Sequence, residues 1–169
     1  AGTTTAYELD IATTSTSLNT LTITGTEGID LDGTNLVNTI ETINAAGLTV
    51  AAKTEMGIKV AVAGSGTQGV VITGTNGVDT VTGGAVSDSV TLGVGADVYT
   101  ATAGNDIVDL GADNDGITIT KALFAGNSAT TATYDGGTGT DTITISDTGA
   151  TIVDADFRGM TNIEAVTTA

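Results

Sequence analysis

Hydrophobic positions recur every nine residues over residues 74–118. Aligned in nines from Gly74, this stretch gives GTNGVDTVT, GGAVSDSVT, LGVGADVYT, ATAGNDIVD and LGADNDGIT. The eighth position is always apolar or aromatic: Val81, Val90, Tyr99, Val108 and Ile117. In the first two repeats the residues that flank it are Thr80, Thr82, Ser89 and Thr91, an alternation typical of a strand with one buried face. A short fixed period of this kind predicts a solenoid built from one strand and one turn per repeat.

The sixth position of every repeat is an aspartate. These aspartates are Asp79, Asp88, Asp97, Asp106 and Asp115. A further copy at 136–144, GGTGTDTIT, has Asp141 at its sixth position and Ile143 at its eighth. Small residues, glycine above all, dominate the first four positions, where a tight turn requires backbone freedom. Each repeat is therefore predicted to be a glycine-rich turn followed by a short strand.

Two such repeats predict one coil of a flattened parallel roll, with a strand on each face and the eighth-position residues in the core. Asp79, Asp97 and Asp115 then fall on one edge, and Asp88 and Asp106 on the other. The predicted fold class is all-β, a parallel β-roll or β-helix solenoid with flanking β segments and one short helical excursion. Since Asp97 has in-phase acids 18 residues away on both sides, we expect its loss to destabilise more than the loss of Asp141.

The glycine-rich nonapeptide with an aspartate at position six resembles the calcium-binding repeat of RTX (repeats-in-toxin) proteins. Residues 136–144 match that repeat at every defined position, whereas residues 74–118 depart from it at several glycines, among them Thr75 and Asp113. The resemblance implies several bound Ca²⁺ ions. It also implies export by type I secretion to an extracellular location.

Repulsion between stacked aspartates also predicts bound cations. Coils stack at roughly 4.8 Å, and two carboxylates about 5 Å apart repel by about 3 kcal/mol at an effective dielectric constant near 20. A cation would offset this repulsion, and oxygen ligands in flexible turns favour Ca²⁺ over Mg²⁺. The alternative is a calcium-free β-helix in which aspartate only forms turns. The candidate ligands are Asp79, Asp88, Asp97, Asp106, Asp115, Asp141, Asn76, Gly77, Gly95, Asn105, Asp113, Gly137 and Gly139.

Composition narrows the function classes. The chain of 169 residues has 20 acidic and four basic residues, a net charge of −16, and neither histidine nor cysteine. Such a surface is a poor partner for nucleic acid or an anionic membrane. No apolar run approaches the roughly 20 residues of a membrane span, so we expect no membrane insertion. Without a nucleophile–base pair or a phosphate loop, we expect the chain not to be an enzyme.

Three regions are predicted along the chain. Residues 1–64 form an N-terminal β-rich segment, residues 65–144 form the calcium-binding roll, and residues 145–169 form a C-terminal segment. Within the roll, residues 119–134 interrupt the repeats as a short helix or loop, because 121–124 has the best helix propensity. Residues 65–73 have the repeat period without its aspartate, and we expect them to cap the roll.

A short sequence, I-E-x-[IV], occurs on both sides of the repeats, at 40–43 and at 163–166. It suggests two equivalent supersecondary units, and it resembles segments of RTX-type S-layer proteins of Gram-negative bacteria. The surrounding stretch 35–46 is compatible with helix or strand. The turn at 25–33, which contains Glu27, Asp30 and Asp32, could bind calcium or be an ordinary solvated turn.

Together these features predict a structural subunit of a calcium-dependent, self-assembling extracellular layer or fibre on a bacterial surface. Its expected partners are copies of itself in a lattice or filament, and cell-surface polysaccharide. The alternative is a calcium-dependent folding and secretion module of an RTX toxin, a hydrolase or a large adhesin.

Overall fold

The structure is a computed structural model that describes residues 7–8, 18–31, 39–62, 68–126, 132–149 and 151–168. The described strands, in chain order, are β1 (Tyr7–Glu8), β2 (Thr20–Gly25), β3 (Ile29–Asp30), β4 (Thr42–Leu48), β5 (Met56–Ala61), β6 (Val71–Thr73), β7 (Val78–Thr82), β8 (Ser89–Val94), β9 (Val98–Thr100), β10 (Ile107–Ala112), β11 (Gly116–Ile119), β12 (Thr133–Asp135), β13 (Thr142–Ile145), β14 (Met160–Thr161) and β15 (Ala165–Thr168). A helix, α1 (Lys121–Gly126), and a 3₁₀ helix (Asp154–Phe157) complete the described elements. No helix in the described ranges is long and apolar enough to cross a membrane.

The strands alternate between two parallel sheets. The odd-numbered strands form one sheet in the order β1-β3-β5-β7-β9-β11-β13-β15, and the even-numbered strands form the other in the order β14-β12-β10-β8-β6-β4-β2. Every pairing between these strands is parallel, so the chain adds one strand to each sheet in turn. This confirms the predicted β-solenoid, and it places one nonapeptide on each face of a coil.

The eighth-position residues stack in register inside the solenoid. Val81 pairs with Tyr99 and Tyr99 with Ile117 in the odd sheet, while Val90 pairs with Val108 in the even sheet. All five of these residues are buried in one hydrophobic cluster. Burying apolar surface stabilises the fold by about 25 cal/mol per Å². The period of nine is thus the period of the core.

The sheets continue on both sides of the nonapeptides. β4 pairs with β6, and β13 pairs with β15, so the predicted boundaries near residues 64 and 144 do not interrupt either sheet. The expectation that 65–73 caps the roll is wrong, because β6 lies between β4 and β8. Residues 42–46 of the ambiguous stretch 35–46 form part of strand β4, and residues 35–38 lie outside the described residues.

The excursion forms the predicted short helix. α1 (Lys121–Gly126) follows β11 directly, and its Phe124 is buried against Phe157 in an edge-to-face contact with ring centroids 5.2 Å apart. Lys121 donates from Nζ to Oδ2 of Asp156 at 2.6 Å, which lowers the pKa of that carboxyl. The helix therefore packs onto the 3₁₀ helix beside the solenoid and leaves both sheets intact.

Candidate metal centre

The turns that precede the strands form two edges of the solenoid. The turns 74–79, 92–97, 110–115 and 136–141 lead into odd strands and form what we call the odd edge. The turns 83–88 and 101–106 lead into even strands and form the even edge. The predicted separation is confirmed, because among the described residues every hydrogen bond between two sixth-position aspartates joins aspartates of the same edge.

On the odd edge the sixth-position acids form a continuous ladder. Each backbone N–H donates to a carboxylate oxygen of the acid one coil later: Ile58 to Asp79 Oδ1 (2.7 Å), Asp79 to Asp97 Oδ1 (2.8 Å), Asp97 to Asp115 Oδ1 (2.7 Å), Asp115 to Asp141 Oδ1 (2.8 Å) and Asp141 to Glu164 Oε2 (2.7 Å). A charged acceptor makes such bonds stronger than neutral ones. One oxygen of each carboxylate is therefore used to hold the preceding coil.

The aspartates of this ladder lie inside the solenoid. Asp79, Asp97, Asp115 and Asp141 are all less than 5% exposed. Burial disfavours the charged form, and it raises the pKa of Asp97 to about 8 and that of Asp115 to about 6. It also raises the pKa of Asp79 and of Asp141 above the ordinary value. At neutral pH this edge therefore favours either protons or a cation.

Three of these aspartates have a second oxygen without a donor. Within the described part of the chain, no hydrogen-bond partner reaches Oδ2 of Asp97, Asp115 or Asp141. A methyl group at Gly136 would lie 2.7 Å from Oδ2 of Asp141, so this oxygen faces the start of its own turn. Leaving a buried acceptor unsatisfied costs about 1–3 kcal/mol, and more for a charged group. Cations bound along this edge would satisfy these three oxygens.

Asp79 differs from the other three odd-edge aspartates because both of its carboxylate oxygens accept hydrogen bonds. Its Oδ2 accepts from the backbone N–H of Thr75 at 2.7 Å, and its Oδ1 accepts from the Thr75 hydroxyl at 2.9 Å as well as from Ile58. Thr75 is at the second position of its repeat, where the next three odd-edge turns have glycine. The first turn of the odd edge therefore satisfies its aspartate with protein donors alone.

The even edge also satisfies both oxygens of each aspartate. Asp88 accepts from the N–H of Val70 at 2.8 Å and from the N–H of Gly84 at 2.7 Å. Asp106 accepts from the N–H of Asp88 at 3.1 Å and from the hydroxyl of Tyr99 at 2.8 Å. Burial is the main reason that the pKa of Asp106 is raised. Both oxygens of each of these two carboxylates therefore already have a protein donor.

The backbone φ angles of the turns also differ between the odd edge and the even edge. On the odd edge, the second and fourth positions of three successive turns have positive φ: Gly93 (114°), Gly95 (143°), Gly111 (105°), Asp113 (89°), Gly137 (88°) and Gly139 (150°). A side chain at Gly111 or Gly137 would collide with the carbonyl oxygen of the glycine one coil earlier. On the even edge only Gly104 has such a φ among the described residues. Glycine thus allows stacked carbonyl groups near the odd-edge carboxylates.

The other predicted ligands lie on different edges and have different hydrogen-bond partners. The side-chain amide of Asn76 bonds to both the N–H and the carbonyl of Val50, at 2.9 and 3.0 Å, and so joins a loop to the turn. Gly77 and Gly95 lie in successive odd-edge turns, and a side chain at Gly95 would approach the Gly77 carbonyl oxygen to 2.5 Å. Asn105 is exposed on the even edge, and its N–H bonds to the Ser87 hydroxyl at 2.9 Å.

Asp113 has a cationic partner that the sequence did not reveal. The ammonium group of Lys53, from the loop after β4, forms an ion pair with the Asp113 carboxylate. Asp113 also contributes to the raised pKa of both Asp97 and Asp115 through its negative charge. Lys53 therefore brings a positive charge to the turn that contains Asp113 and the buried Asp115.

Sequence reasoning also missed the role of the I-E-x-[IV] copies. Val166 stacks on Ile143 and Ile43 stacks on Ile72, so both copies place their last residue at position eight. Glu164 and Glu41 are therefore sixth-position residues, and Glu164 ends the acid ladder. Counting back two positions from each terminal Ile or Val could have found them. The two copies lie in different sheets, since β15 is in the odd sheet and β4 is in the even sheet.

The candidate turn at 25–33 is only partly described. Asp30 is in strand β3, with its carboxylate 3.5 Å from the ammonium group of Lys59, and Asp32 lies outside the described residues. Across the described ranges no three acidic side chains converge closely enough to hold a metal ion by themselves. An ion on the odd edge would thus be bound by one or two carboxylates together with turn carbonyls. No protein-family model, curated protein or solved structure matches this chain.

Proposed function

We propose that this chain is a structural subunit of a calcium-dependent, self-assembling extracellular layer on a bacterial surface. The observation that carries the proposal is the row of buried carboxylates with unpaired oxygens at Asp97, Asp115 and Asp141. A fold that buries these carboxylates requires protons or a counter-ion, and the oxygen-only surroundings suit Ca²⁺ better than softer metals. Calcium then acts as part of the folded structure.

The outer face of the odd sheet supports self-assembly. In register along this face lie Thr82, Thr100, Thr118, Thr144 and Thr167, one per coil. The other outward positions from β7 to β15 are also uncharged: Thr80, Val98, Gly116, Thr142 and Ala165. In a chain with a net charge of −16, copies of the protein can meet on this face without apposing like charges.

Negative-stain electron microscopy tests the proposal. We expect sheets or filaments of the purified chain in millimolar calcium, and their loss when a chelator is added. Thr118→Asp should prevent assembly without preventing calcium-dependent folding, because it places charge in the centre of the uncharged face. Ser89→Asp, an equivalent change at an exposed position of the even sheet, is the matched control and should still assemble.

A chain that stays monomeric at high concentration with calcium would contradict the layer proposal. If that monomer still folds only with calcium, the alternative function gains support, namely a folding and secretion module of a toxin, hydrolase or adhesin. That module would require a separate catalytic, pore-forming or adhesive domain in the parent gene.

A further inference from the structure

Two independent properties single out three of the six aspartate turns. The turns 92–97, 110–115 and 136–141 are those with positive φ at both the second and the fourth position. They are also the turns whose aspartates, Asp97, Asp115 and Asp141, have a buried oxygen without a partner. Backbone conformation and side-chain hydrogen bonding therefore identify the same three turns as those whose carboxylates need a positive partner.

In the other three turns, protein donors take the place of such a partner. At Asp79 they are the N–H and hydroxyl of Thr75, at Asp88 the N–H of Gly84, and at Asp106 the hydroxyl of Tyr99. Each of these donors lies 2.7–2.9 Å from its carboxylate oxygen. Every oxygen of these three carboxylates therefore has a partner, and an ion there would relieve no unsatisfied acceptor, whereas an ion at the other three turns would.

Tyr99 shows most clearly how a donor can replace an ion. It is an eighth-position residue of the odd sheet, where the other described repeats from β7 to β13 have Val or Ile. Its ring is buried in the core, and its hydroxyl crosses the interior to Asp106 on the even edge. The same hydroxyl approaches the α-carbon of Gly83 so closely that a side chain there would collide with it. Tyrosine thus fills the space beside the even-edge turn from the inside.

We propose that cations bind this solenoid on one edge only, at turns 92–97, 110–115 and 136–141, while Thr75, Gly84 and Tyr99 hold the remaining aspartates without metal. This inference rests on the proposed calcium dependence and adds which repeats use it. The solenoid would then have one edge whose rigidity varies with calcium and one edge held by permanent hydrogen bonds. The ligand class is a hard divalent cation bound by oxygen.

Native mass spectrometry of the folded chain in calcium tests the proposal by counting bound ions. Asparagine is nearly isosteric with aspartate but lacks the charge, so the Asn variants form a matched set. Asp97→Asn, Asp115→Asn and Asp141→Asn should each have a lower calcium count than the wild type. Asp79→Asn, Asp88→Asn and Asp106→Asn should keep the wild-type count. Circular dichroism in calcium shows which variants are folded and can be compared.

A wild-type experiment keeps the proposal testable if some variants do not fold. Anomalous diffraction from crystals grown with calcium should place ions beside the three odd-edge turns. Ions beside Asp88 or Asp106, or equal losses of calcium from variants of both edges, would overturn the one-edge proposal while leaving calcium dependence in place. A wild-type chain that binds no calcium would instead overturn the proposed function itself.

Discussion

The backbone N–H of Asp115 donates to Oδ1 of Asp141 across 2.8 Å, although 26 residues separate the two aspartates. The earlier steps of this ladder, Asp79 to Asp97 and Asp97 to Asp115, each span 18 residues. The longer step contains the excursion with helix α1 (Lys121–Gly126), which leaves the stack of turns unchanged. The lone repeat at 136–144 is therefore a full member of the odd edge.

This relationship changes the expected effect of removing Asp141. From sequence spacing, Asp97→Ala should destabilise more than Asp141→Ala, yet Asp141 also has acids on both sides, Asp115 and Glu164. We therefore expect both variants to lose about 1–3 kcal/mol in unfolding free energy with calcium, because each leaves a buried N–H without its acceptor. Chemical denaturation measures this loss. Asp109→Ala, at an exposed position of β10, is the control, and a loss at Asp141 no larger than at Asp109 would contradict the ladder.

Stability should depend on pH in opposite directions with and without calcium. Burial raises the pKa of Asp97 from an ordinary 3.8 to about 8, so the folded state binds its proton more tightly than the unfolded state does. Without calcium, this stabilisation is complete below about pH 4 and is lost as pH rises toward 8. With calcium, stability should rise over the same range, because the ion requires deprotonated carboxylates.

Thermal melting between pH 4 and pH 8, with chelator and with excess calcium, measures both trends. Parallel trends in the two conditions would contradict a cation at the buried carboxylates. Asp115, whose pKa is raised to about 6, adds to the same trend in the lower part of this range.

The sequence predicted the solenoid well because its repeat encodes the fold directly. Val81 and Val90 alternate with polar residues, and their spacing of nine residues places them in opposite sheets. Residues at 65–73 were harder to place, because β6 has the period but Val70 replaces the aspartate. The pattern did not show that earlier strands, with less regular spacing, continue the same sheets.

The hydrogen-bonding of the turns could not be predicted from the repeat alone. Position six is aspartate in all six repeats, but whether its second oxygen is satisfied depends on residues elsewhere in space, such as the Tyr99 hydroxyl. Tyr99 fits the hydrophobic pattern at position eight, and that pattern does not indicate that its hydroxyl donates to Asp106. Lys53 is 60 residues from Asp113 in sequence, and no periodic pattern connects them.

Tyr99→Phe should destabilise the calcium-loaded protein without changing the number of calcium ions that it binds. The change removes the donor to Oδ2 of the buried Asp106, which costs about 1–3 kcal/mol. Denaturation in saturating calcium and native mass spectrometry measure the two quantities. Tyr134→Phe is the matched control, because it removes a second core tyrosine hydroxyl without removing the donor to Asp106. A lower calcium count in Tyr99→Phe would mean that the even edge also binds the ion.

Lys53→Gln should have effects of opposite sign in the two conditions. Without calcium, at about pH 5 where protons on the buried aspartates help to hold the fold, the variant should be less stable by up to about 1 kcal/mol, the range for an exposed ion pair, because Asp113 loses its cation. With calcium, removing this positive charge from the odd edge should raise the affinity for the ion up to about fivefold. Calorimetric calcium titration and chelator-phase melting measure the two effects. An unchanged or weaker affinity would contradict a site near Asp113.

The central claim is that the buried odd-edge carboxylates make folding depend on calcium, and far-ultraviolet circular dichroism tests it most directly. The chain should give a β-sheet spectrum with calcium, lose most of it when a strong chelator is added, and regain it when calcium returns. Magnesium at the same concentration should restore less of the β-sheet signal, since it demands a stricter octahedral geometry. A spectrum and melting temperature unchanged by the chelator would contradict the claim and support a solenoid held by hydrogen bonds alone.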